Sequence, residues 1–387
     1  MKIVYVITRA DSVGGATVHV SDLAEALLAQ GDDVVILVGG EGPVTEEFAR
    51  RGIPFRPLRH LARPIRPWRD FLAVLEMARA FREIKPDLVS AHTAKAGMVG
   101  RAASGLAGIP AVFTPHGWTI SDRVSSRMAP VYRFAERIAA PLTRRIINVC
   151  GYEKDLALKH HIAPAGKLEV VYNGCPDVAG GLRANPAQHP PRIAMVARFE
   201  HPKDHAMLLN AVAGLLDFPW HLDLIGEGPL EESARLQAAA LGISNRVNFL
   251  GVRGDVAGRL AQSQIFALAS LSEAFPISIL EAMRAGLPVA ATDVGGVREA
   301  VTHGITGFLS PKGDVESMRM HLARLIADPV LRRETGARGR RSYLENFTLD
   351  RMLSRTRAVY ADVLSAGRIS DAERDAKKSV ARVAGMR

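Results

Sequence analysis

Short β-rich apolar runs alternate with helical patterns along this chain, and the alternation runs twice with a single break between. It signals parallel sheets covered by helices, because parallel neighbours need a crossover that is usually helical. In the first half the strand candidates are Lys2–Thr8, Asp33–Val38, Pro54–Leu58, Asp87–His92, Pro110–Thr114 and Arg145–Val149. Helical patterns sit between them, such as Ala16–Gln30 closed by Gly31 and Trp68–Ile84 ended before Pro86. Then Asn173-Gly174-Cys175-Pro176 supplies turn chemistry, and the stretch to Pro191 is rich in Gly, Pro and Asn.

Beyond that break the strand candidates are Arg192–Ala197, His221–Ile225, Val247–Leu250, Ile265–Ala269 and Leu287–Ala291. Helices are expected from Asp204, from Pro229, and at Val315–Ala327 and Leu331–Arg341, with a last one from about Leu349 to Leu364. At 387 residues the chain fits two domains. The expected fold class is α/β, with two Rossmann-like doubly wound domains facing an interdomain cleft. The domains are placed at 1–175 and 192–346, joined by a linker at 176–191. The segment 347–366 is expected to form a helix packing back towards the N-terminal domain, and 367–387 a frayed tail. Ligands in such folds bind at the carboxyl ends of the strands.

No apolar run reaches the roughly 18 residues needed to span a bilayer. The apolar start, Met1 to Thr8, is too short for a signal peptide and runs into Arg9 and Asp11, so it reads as a buried strand. Two cysteines, Cys150 and Cys175, indicate a reducing compartment, and the expected location is cytoplasmic. The net charge of +10 is uneven: between Arg50 and Lys85 ten Lys/Arg face three acids. A second basic stretch, Arg123 to Arg145, mixes arginines with Val124, Met128, Val131, Tyr132 and Phe134. Basic residues mixed with large apolar ones suggest an anionic membrane surface. Nucleic acid is not expected as a partner, since zinc-finger spacing, RNP-like aromatics and a basic zipper are all missing.

The residues with chemistry cluster from Ala269 to Gly296, where Glu273 and Glu281 are separated by seven residues. An apolar strand precedes Glu273, and Glu281 lies on an amphipathic helix ending at Gly286. If Phe275 and Pro276 open that helix, its free N–H groups make an anion site beside a carboxylate. Such a pairing suits a ligand with both hydroxyls and phosphate, which is a sugar nucleotide. Gly14-Gly15, between the first strand and the first helix, lets backbone approach a phosphate closely. Arg198 and Lys203 follow the first strand of the second domain and can neutralise a diphosphate leaving group. Gly226-Glu227-Gly228-Pro229 adds a tight turn over the same cleft. His116, just past a strand, can hydrogen-bond a hydroxyl or carry a proton. The Rossmann Gly-x-Gly-x-x-Gly and the Walker loop are absent, which counts against a dinucleotide oxidoreductase and an NTPase. No Asp-x-Asp occurs, so no metal site and no required cofactor are expected.

In this order the motifs resemble the family-4 retaining glycosyltransferases of the GT-B fold. The resemblance covers nearly the whole chain and includes Thr306-Gly307-Phe308-Leu309. It implies that Gly15 gives its amide to the donor phosphate, that Arg198 and Lys203 grip the diphosphate, and that Gly226 shapes the donor pocket. It implies further that Glu281 binds the ribose hydroxyls, Glu273 the transferred sugar, and that His116 sits over that sugar. Backbone amides near the phosphates and sugar are implied at Phe275, Pro276 and Ile277, although Pro276 stands where many relatives have Gly and has no amide to give. Catalysis would rest on Glu273, His116, Arg198 and Lys203. The family mechanism is usually drawn as front-face attack with retention, and a double displacement is the alternative. A UDP-sugar is the favoured donor and GDP-mannose the alternative, with selection set near Val252 and Arg253.

The block Ala91 to Gly97, with Gly100-Arg101 and Phe113 to Trp118, resembles the branch of the family that builds bacterial surface polysaccharides on polyprenyl diphosphate. It implies His92 and Lys95 on the acceptor side, a glycan or lipid-linked sugar as acceptor, and peripheral contact with the inner face of the cell membrane. Two readings compete with a sugar transferase: a nucleotide-sugar epimerase on the same fold, and a non-catalytic interaction protein that has kept it.

Overall fold

In the computed structural model, residues 1–120 and 128–384 are described, with side chains to Ala366. Arg123 and Val124 of the second basic stretch lie outside the described residues. The strands are β1 (Lys2–Ile7), β2 (Asp33–Gly39), β3 (Phe55–Leu58), β4 (Leu88–His92), β5 (Ala111–Thr114), β6 (Arg145–Asn148) and β7 (Leu168–Val170). After the break come β8 (Arg192–Val196), β9 (His221–Ile225), β10 (Val247–Phe249), β11 (Ile265–Leu268), β12 (Val289–Thr292) and β13 (Gly307–Ser310). The first sheet has the order β3-β2-β1-β4-β5-β6-β7 and the second β10-β9-β8-β11-β12-β13. Every strand pair is parallel.

Burial on both faces explains why the strands read as unbroken apolar runs. In β1, Ile3, Val4, Tyr5 and Val6 are fully buried, and Ile3 lies opposite Val34 and Leu88. Both sheets reverse direction of winding beside their first strand, between β1 and β4 and between β8 and β11. Crevices for ligands open at such points, outside the carboxyl ends of the strands. Strands β7 and β13 have no counterpart among the expected strands. Three or four residues at a sheet edge are too few to show a period.

The carboxyl edges of the two sheets meet. Glu299 of the second domain accepts hydrogen bonds from Gly151 N (2.7 Å) and Tyr152 N (2.8 Å), which open the helix Gly151–Lys159. A carboxylate is favoured there by the free amides and the positive end of the helix dipole. Tyr172 Oη also donates to Glu299 (2.9 Å), and Cys150 Sγ approaches Ala274 O at 3.4 Å.

The last helix, Leu349–Ala384, leaves the second domain and packs on the first. Its Met352, Leu353, Tyr360 and Val363 are buried with Ile3, Tyr5 and Val34. Arg357 pairs with Asp32 (2.7 Å), which also holds the chain's amino terminus (2.7 Å). Where a frayed tail was expected from residue 367, the backbone stays helical to Ala384. That segment is rich in Ala, Arg and Lys and extends a helix already anchored, so no new nucleation is needed.

Candidate functional site between the two sheets

On the N-terminal side the ends of β1 and β4 are tied together. Thr8 Oγ1 lies 2.7 Å from Thr93 Oγ1 and accepts from Ala96 N at 3.0 Å. Gly14 caps the helix Gly15–Ala29, and a Cβ on Gly14 or Gly15 would meet no described atom within 4 Å. Neither residue has a positive φ. Packing and backbone strain therefore do not account for the two glycines, whereas close approach of a ligand would.

Three histidines converge here. His92 ends β4, His116 follows β5 in the left-handed region (φ 56°), and His19 lies on the first turns of helix Gly15–Ala29. His92 Nδ1 and His116 Nε2 are 2.8 Å apart, and the His19 and His116 rings meet edge to face with centroids 4.6 Å apart. Sequence patterns singled out His92 and His116 but assigned no role to His19, although it sits four positions after Gly15. One ligating atom from each of the three imidazoles can be chosen so that all lie within 4.8 Å of one another, the grouping among the described residues closest to a metal-binding set. The 2.8 Å contact holds a proton between two nitrogens, so this geometry is a hydrogen-bonded network; a metal would have to displace that proton.

Burial holds these histidines neutral. It lowers the His19 pKa to about 4 and takes His92 and His116 well below the ordinary value, with the neighbouring imidazoles adding to the effect on both. Of the two roles expected for His116, hydrogen bonding fits this environment and carrying a proton at neutral pH does not. His205, in the second domain, is likewise lowered to about 4, first by burial and then by Lys203.

These depressions predict acid sensitivity. An unfolded histidine titrates near 6.5, so below that pH the unfolded chain binds protons the folded chain refuses. Stability is therefore full above about pH 6.5 and falls towards about pH 4, at about 1.4 kcal/mol per pH unit for each such histidine. Urea denaturation repeated between about pH 7 and about pH 5 should show this slope. A flat profile would mean that the imidazoles already charge in the fold.

Lys95, on the first turn of the helix Ala94–Ala107, pairs with Asp70 (2.6 Å) and donates to Pro64 O. It is tied to the start of the helix Pro67–Ile84 and does not project freely from the cleft.

On the C-terminal side, Lys203 and Ser270 pair as an antiparallel bridge, which brings the loops after β8 and β11 together. There the Lys203 ammonium pairs with Glu273 Oε1, and Ser270 Oγ donates to the same oxygen at 2.7 Å. Ser270 is held by Thr292 at the end of β12: Ser270 N donates to Thr292 Oγ1 (2.9 Å), and that hydroxyl donates to Ser270 O (2.7 Å). Neither Ser270 nor Thr292 stood out in the sequence, because a single hydroxyl carries no pattern. Arg198 pairs with Glu200 (3.0 Å), and its Nε is buried without a hydrogen-bond partner among the described residues. Gly226 and Gly228, both at positive φ, lie against the backbone of Ala197 and Phe199; a Cβ would come within 2.2 and 2.5 Å of their carbonyl oxygens. The Gly-x-Gly turn thus shapes the loop that carries Arg198. Gly226 N donates to Gly251 O (2.9 Å), and the next residue, Val252, is exposed.

The helix expected to start at Phe275 spans Ile277–Ala285, with Pro276 as its N-cap and Gly286 closing it in the left-handed region. Pro276 therefore lies outside the first turn, and its missing N–H is not one of the helix's free donors. Ile277 and Ser278 supply those donors, while Ile279 N already reaches Pro276 O at 3.2 Å. Glu281, one turn on, has its pKa raised by burial, partly offset by Arg284 at 3.6 Å. Arg284 also donates to Pro176 O (2.8 Å), fastening the helix to the linker.

Asn173 joins the halves. Its Nδ2 donates to Phe275 O (2.8 Å), and its Oδ1 faces His19 Nδ1 at 3.0 Å. The Phe275 ring packs against Tyr172 and Phe347. The structure thus gathers Glu273, Lys203, Arg198, Gly226, Phe275, Ile277 and Glu281 on one edge, and Gly15, His92 and His116 on the facing one.

Comparison with known proteins agrees with this architecture. The family described as Glycosyltransferase Family 4 matches residues 13–177, and Glycosyl transferases group 1 matches residues 183–342. An Escherichia coli UDP-Gal:alpha-D-GlcNAc-diphosphoundecaprenol alpha-1,3-galactosyltransferase is 25% identical, over 86% of this chain and 89% of its own. A D-inositol 3-phosphate glycosyltransferase of Salinispora tropica is 29% identical, over 94% of this chain and 81% of its own. Among solved structures, Anabaena Alr3699/HepE in complex with UDP and glucose superposes with a TM-score of 0.79, at 22% identity, over 93% of this chain and 99% of its own. With two parallel Rossmann-like sheets meeting at their carboxyl edges and both halves of the family matched in order, this chain belongs to the group 1, family-4 glycosyltransferases of the GT-B fold.

Proposed function

We propose that this glycosyltransferase moves a hexose or N-acetylhexosamine, with retention, from a nucleotide-diphosphate sugar to a hydroxyl of a polyprenyl-diphosphate-linked glycan. The observation that carries the reading is the Glu273–Lys203 pair beside the free amides of Ile277 and Ser278. A cation, a carboxylate and a helix N-terminus within one loop system match a ligand with an anionic diphosphate next to sugar hydroxyls. In the proposed arrangement Lys203, Arg198 and the helix amides stabilise the departing diphosphate, and Gly15 lets the opposite domain approach it. Glu281 binds the ribose, and Glu273 orients the sugar and stabilises the charge that develops on it. Front-face attack fits this set, because the leaving phosphate oxygen can take the acceptor's proton while neutral His116 holds a sugar hydroxyl.

UDP is the favoured nucleotide, in line with the UDP named for the Escherichia coli relative and the Anabaena structure. The acceptor assignment draws on the same relative, named for a diphosphoundecaprenol-linked sugar. The test is to incubate the protein with UDP-sugars and a polyprenyl-diphosphate-linked N-acetylhexosamine and to read the new linkage by NMR. The expected product carries the α configuration of an α-linked donor; an inverted linkage would contradict the proposed chemistry.

The acceptor's lipid also gives meaning to one face of the N-terminal domain. Trp68, Phe71 and Leu75 form an exposed apolar stripe on helix Pro67–Ile84, and Val131, Phe134 and Ile138 form another on helix Ala129–Ala139. Trp68 is 72% exposed and Phe134 65%, which is unusual for side chains of that size in water. Both helices contact the helix Ala94–Ala107. Among the described residues no helix is long and apolar enough to cross a membrane. Peripheral attachment to the inner face of an anionic membrane is the proposal: the stripes enter the headgroup layer, and the arginines around Arg50–Lys85 meet its charge. The protein should sediment with anionic vesicles at low salt and be released by salt, and the double variant Trp68→Ser, Phe134→Ser should bind weakly. Equal recovery with anionic and neutral vesicles would contradict an electrostatic attachment.

A further inference from the structure

A chain of buried hydrogen bonds runs from the last helix to the site. Tyr360 Oη lies 3.2 Å from Tyr5 Oη and 2.9 Å from Ser90 Oγ. Ser90 Oγ lies 3.0 Å from His92 Nε2, and His92 Nδ1 lies 2.8 Å from His116 Nε2. Tyr5, Ser90 and Tyr360 are all essentially inaccessible to solvent.

The direction of donation along this chain follows from counting hydrogens. A hydroxyl has one hydrogen, and a buried donor left without an acceptor carries a desolvation penalty. The Tyr360 hydroxyl reaches both Tyr5 and Ser90 but has one hydrogen, and Tyr5 Oη has only Tyr360 as a partner among the described residues; giving the Tyr360 hydrogen to the closer Ser90 lets Tyr5 donate to Tyr360 and strands neither. With Tyr360 donating to Ser90, the Ser90 hydrogen goes to His92 Nε2. Neutral His92 consequently carries its hydrogen on Nδ1 and donates to His116 Nε2. His116 is left with its hydrogen on Nδ1. Running the chain backwards would strand the Tyr5 hydroxyl hydrogen in the core.

A second chain ends beside the first. Asn173 Nδ2 donates to a carbonyl, so its Oδ1 is the acceptor and His19 carries its hydrogen on Nδ1. The nitrogens without protein partners among the described residues are therefore a donor, His116 Nδ1–H, and an acceptor, His19 Nε2. Their rings are in edge-to-face contact.

We propose that Ser90 is a positioning residue that locks His116 in the Nδ1–H tautomer, with Tyr360 and Tyr5 saturating the acceptor side of the Ser90 hydroxyl. His116 then meets the substrate as a hydrogen-bond donor. It cannot serve as a general base, because Nδ1 is already protonated and the Nε2 lone pair is occupied by His92. The last helix, by supplying Tyr360, completes a site in the domain it packs against. That His116 faces a sugar hydroxyl rests on the proposed function; the tautomer itself does not.

The experiment is nitrogen NMR of the full-length protein labelled with 15N-histidine, recorded without substrate and assigned with His116→Ala. The expected wild-type signature of His116 is a protonated Nδ1 and a bare Nε2. Ser90→Ala should populate both tautomers, whereas Ser90→Thr, which restores the hydroxyl, should return the single one. Tyr5→Phe removes a hydroxyl from the same core but leaves Tyr360 with only Ser90 to donate to, so it should keep the wild-type tautomer, whereas Tyr360→Phe removes the donor that directs the Ser90 hydrogen and should populate both. A wild-type His116 protonated on Nε2, or an unchanged signature in Ser90→Ala, would overturn the lock. Equal disturbance by Ser90→Ala and Tyr5→Phe would also overturn it, as an effect of packing. In turnover, Ser90→Ala should lower kcat several-fold with KM for the nucleotide sugar unchanged. A shifted tautomer with wild-type kcat would overturn the substrate-facing half of the proposal while leaving the transferase reading intact.

Discussion

Replacing Glu273 with alanine should lower sugar transfer by about 10²–10³-fold, the loss typical when a group aimed at transition-state charge is removed. The protein should stay folded. Glu273 Oε1 is shared by the Lys203 ammonium and the Ser270 hydroxyl, and the Lys203 side chain keeps about a fifth of its surface exposed, so water can solvate it once the carboxylate is gone. Glu273→Gln is the sharper variant, since it preserves the shape and removes only the charge. It should be nearly as inactive as the alanine variant if Glu273 acts electrostatically. Turnover close to wild type in both would remove Glu273 from the site.

Gly295→Ala is expected to be the most damaging small substitution near the cleft. Gly295 has φ +58°, and a Cβ there would lie 1.8 Å from Glu273 O. The backbone conformation alone costs a non-glycine residue about 1–2 kcal/mol. The contact cannot be relieved by a rotamer, because backbone meets backbone, so the loop carrying Glu273 has to move. A displacement of about 1 Å at a catalytic group can cost about 10² in rate. We expect a loss of that order together with a fall in Tm of several degrees. Gly313→Ala is the control, since Gly313 also has a positive φ (+76°) but open space around it. It should show the backbone penalty and keep its activity. Similar behaviour of the two variants would mean that the contact between Gly295 and Glu273 does not hold the catalytic loop.

The two-sheet architecture was legible because parallel strands buried on both faces leave long apolar runs, and crossovers leave helical periods between them. Edge strands β7 and β13 were not legible, being too short to show either. Within the site, Glu273 stood out by its seven-residue spacing from Glu281, and Arg198 and Lys203 as two cations following the first strand of the second domain. The residues that orient them did not. Ser270, Thr292 and Asn173 act through single hydrogen bonds between segments far apart in sequence, and His19 acquires neighbours only when three strand and helix ends converge. Lys95 shows the opposite limit: its position after β4 was informative, but its partner Asp70 lies on another helix and could be seen only in the fold. The start of the helix at Ile277 shifted by a residue or two from expectation, because Pro276 is as well suited to the N-cap as to the first turn.

In the proposed donor site Arg198, Lys203 and the helix end at Ile277 receive a nucleotide diphosphate. Titration calorimetry of the wild-type protein with UDP, UDP-sugars and GDP-mannose tests this most directly. At least one of these ligands should bind the wild type. Arg198→Ala and Lys203→Ala should each weaken that binding by about tenfold or more, as expected for loss of a charge-assisted contact. Binding of none of them, or unchanged affinity in both variants, would contradict it.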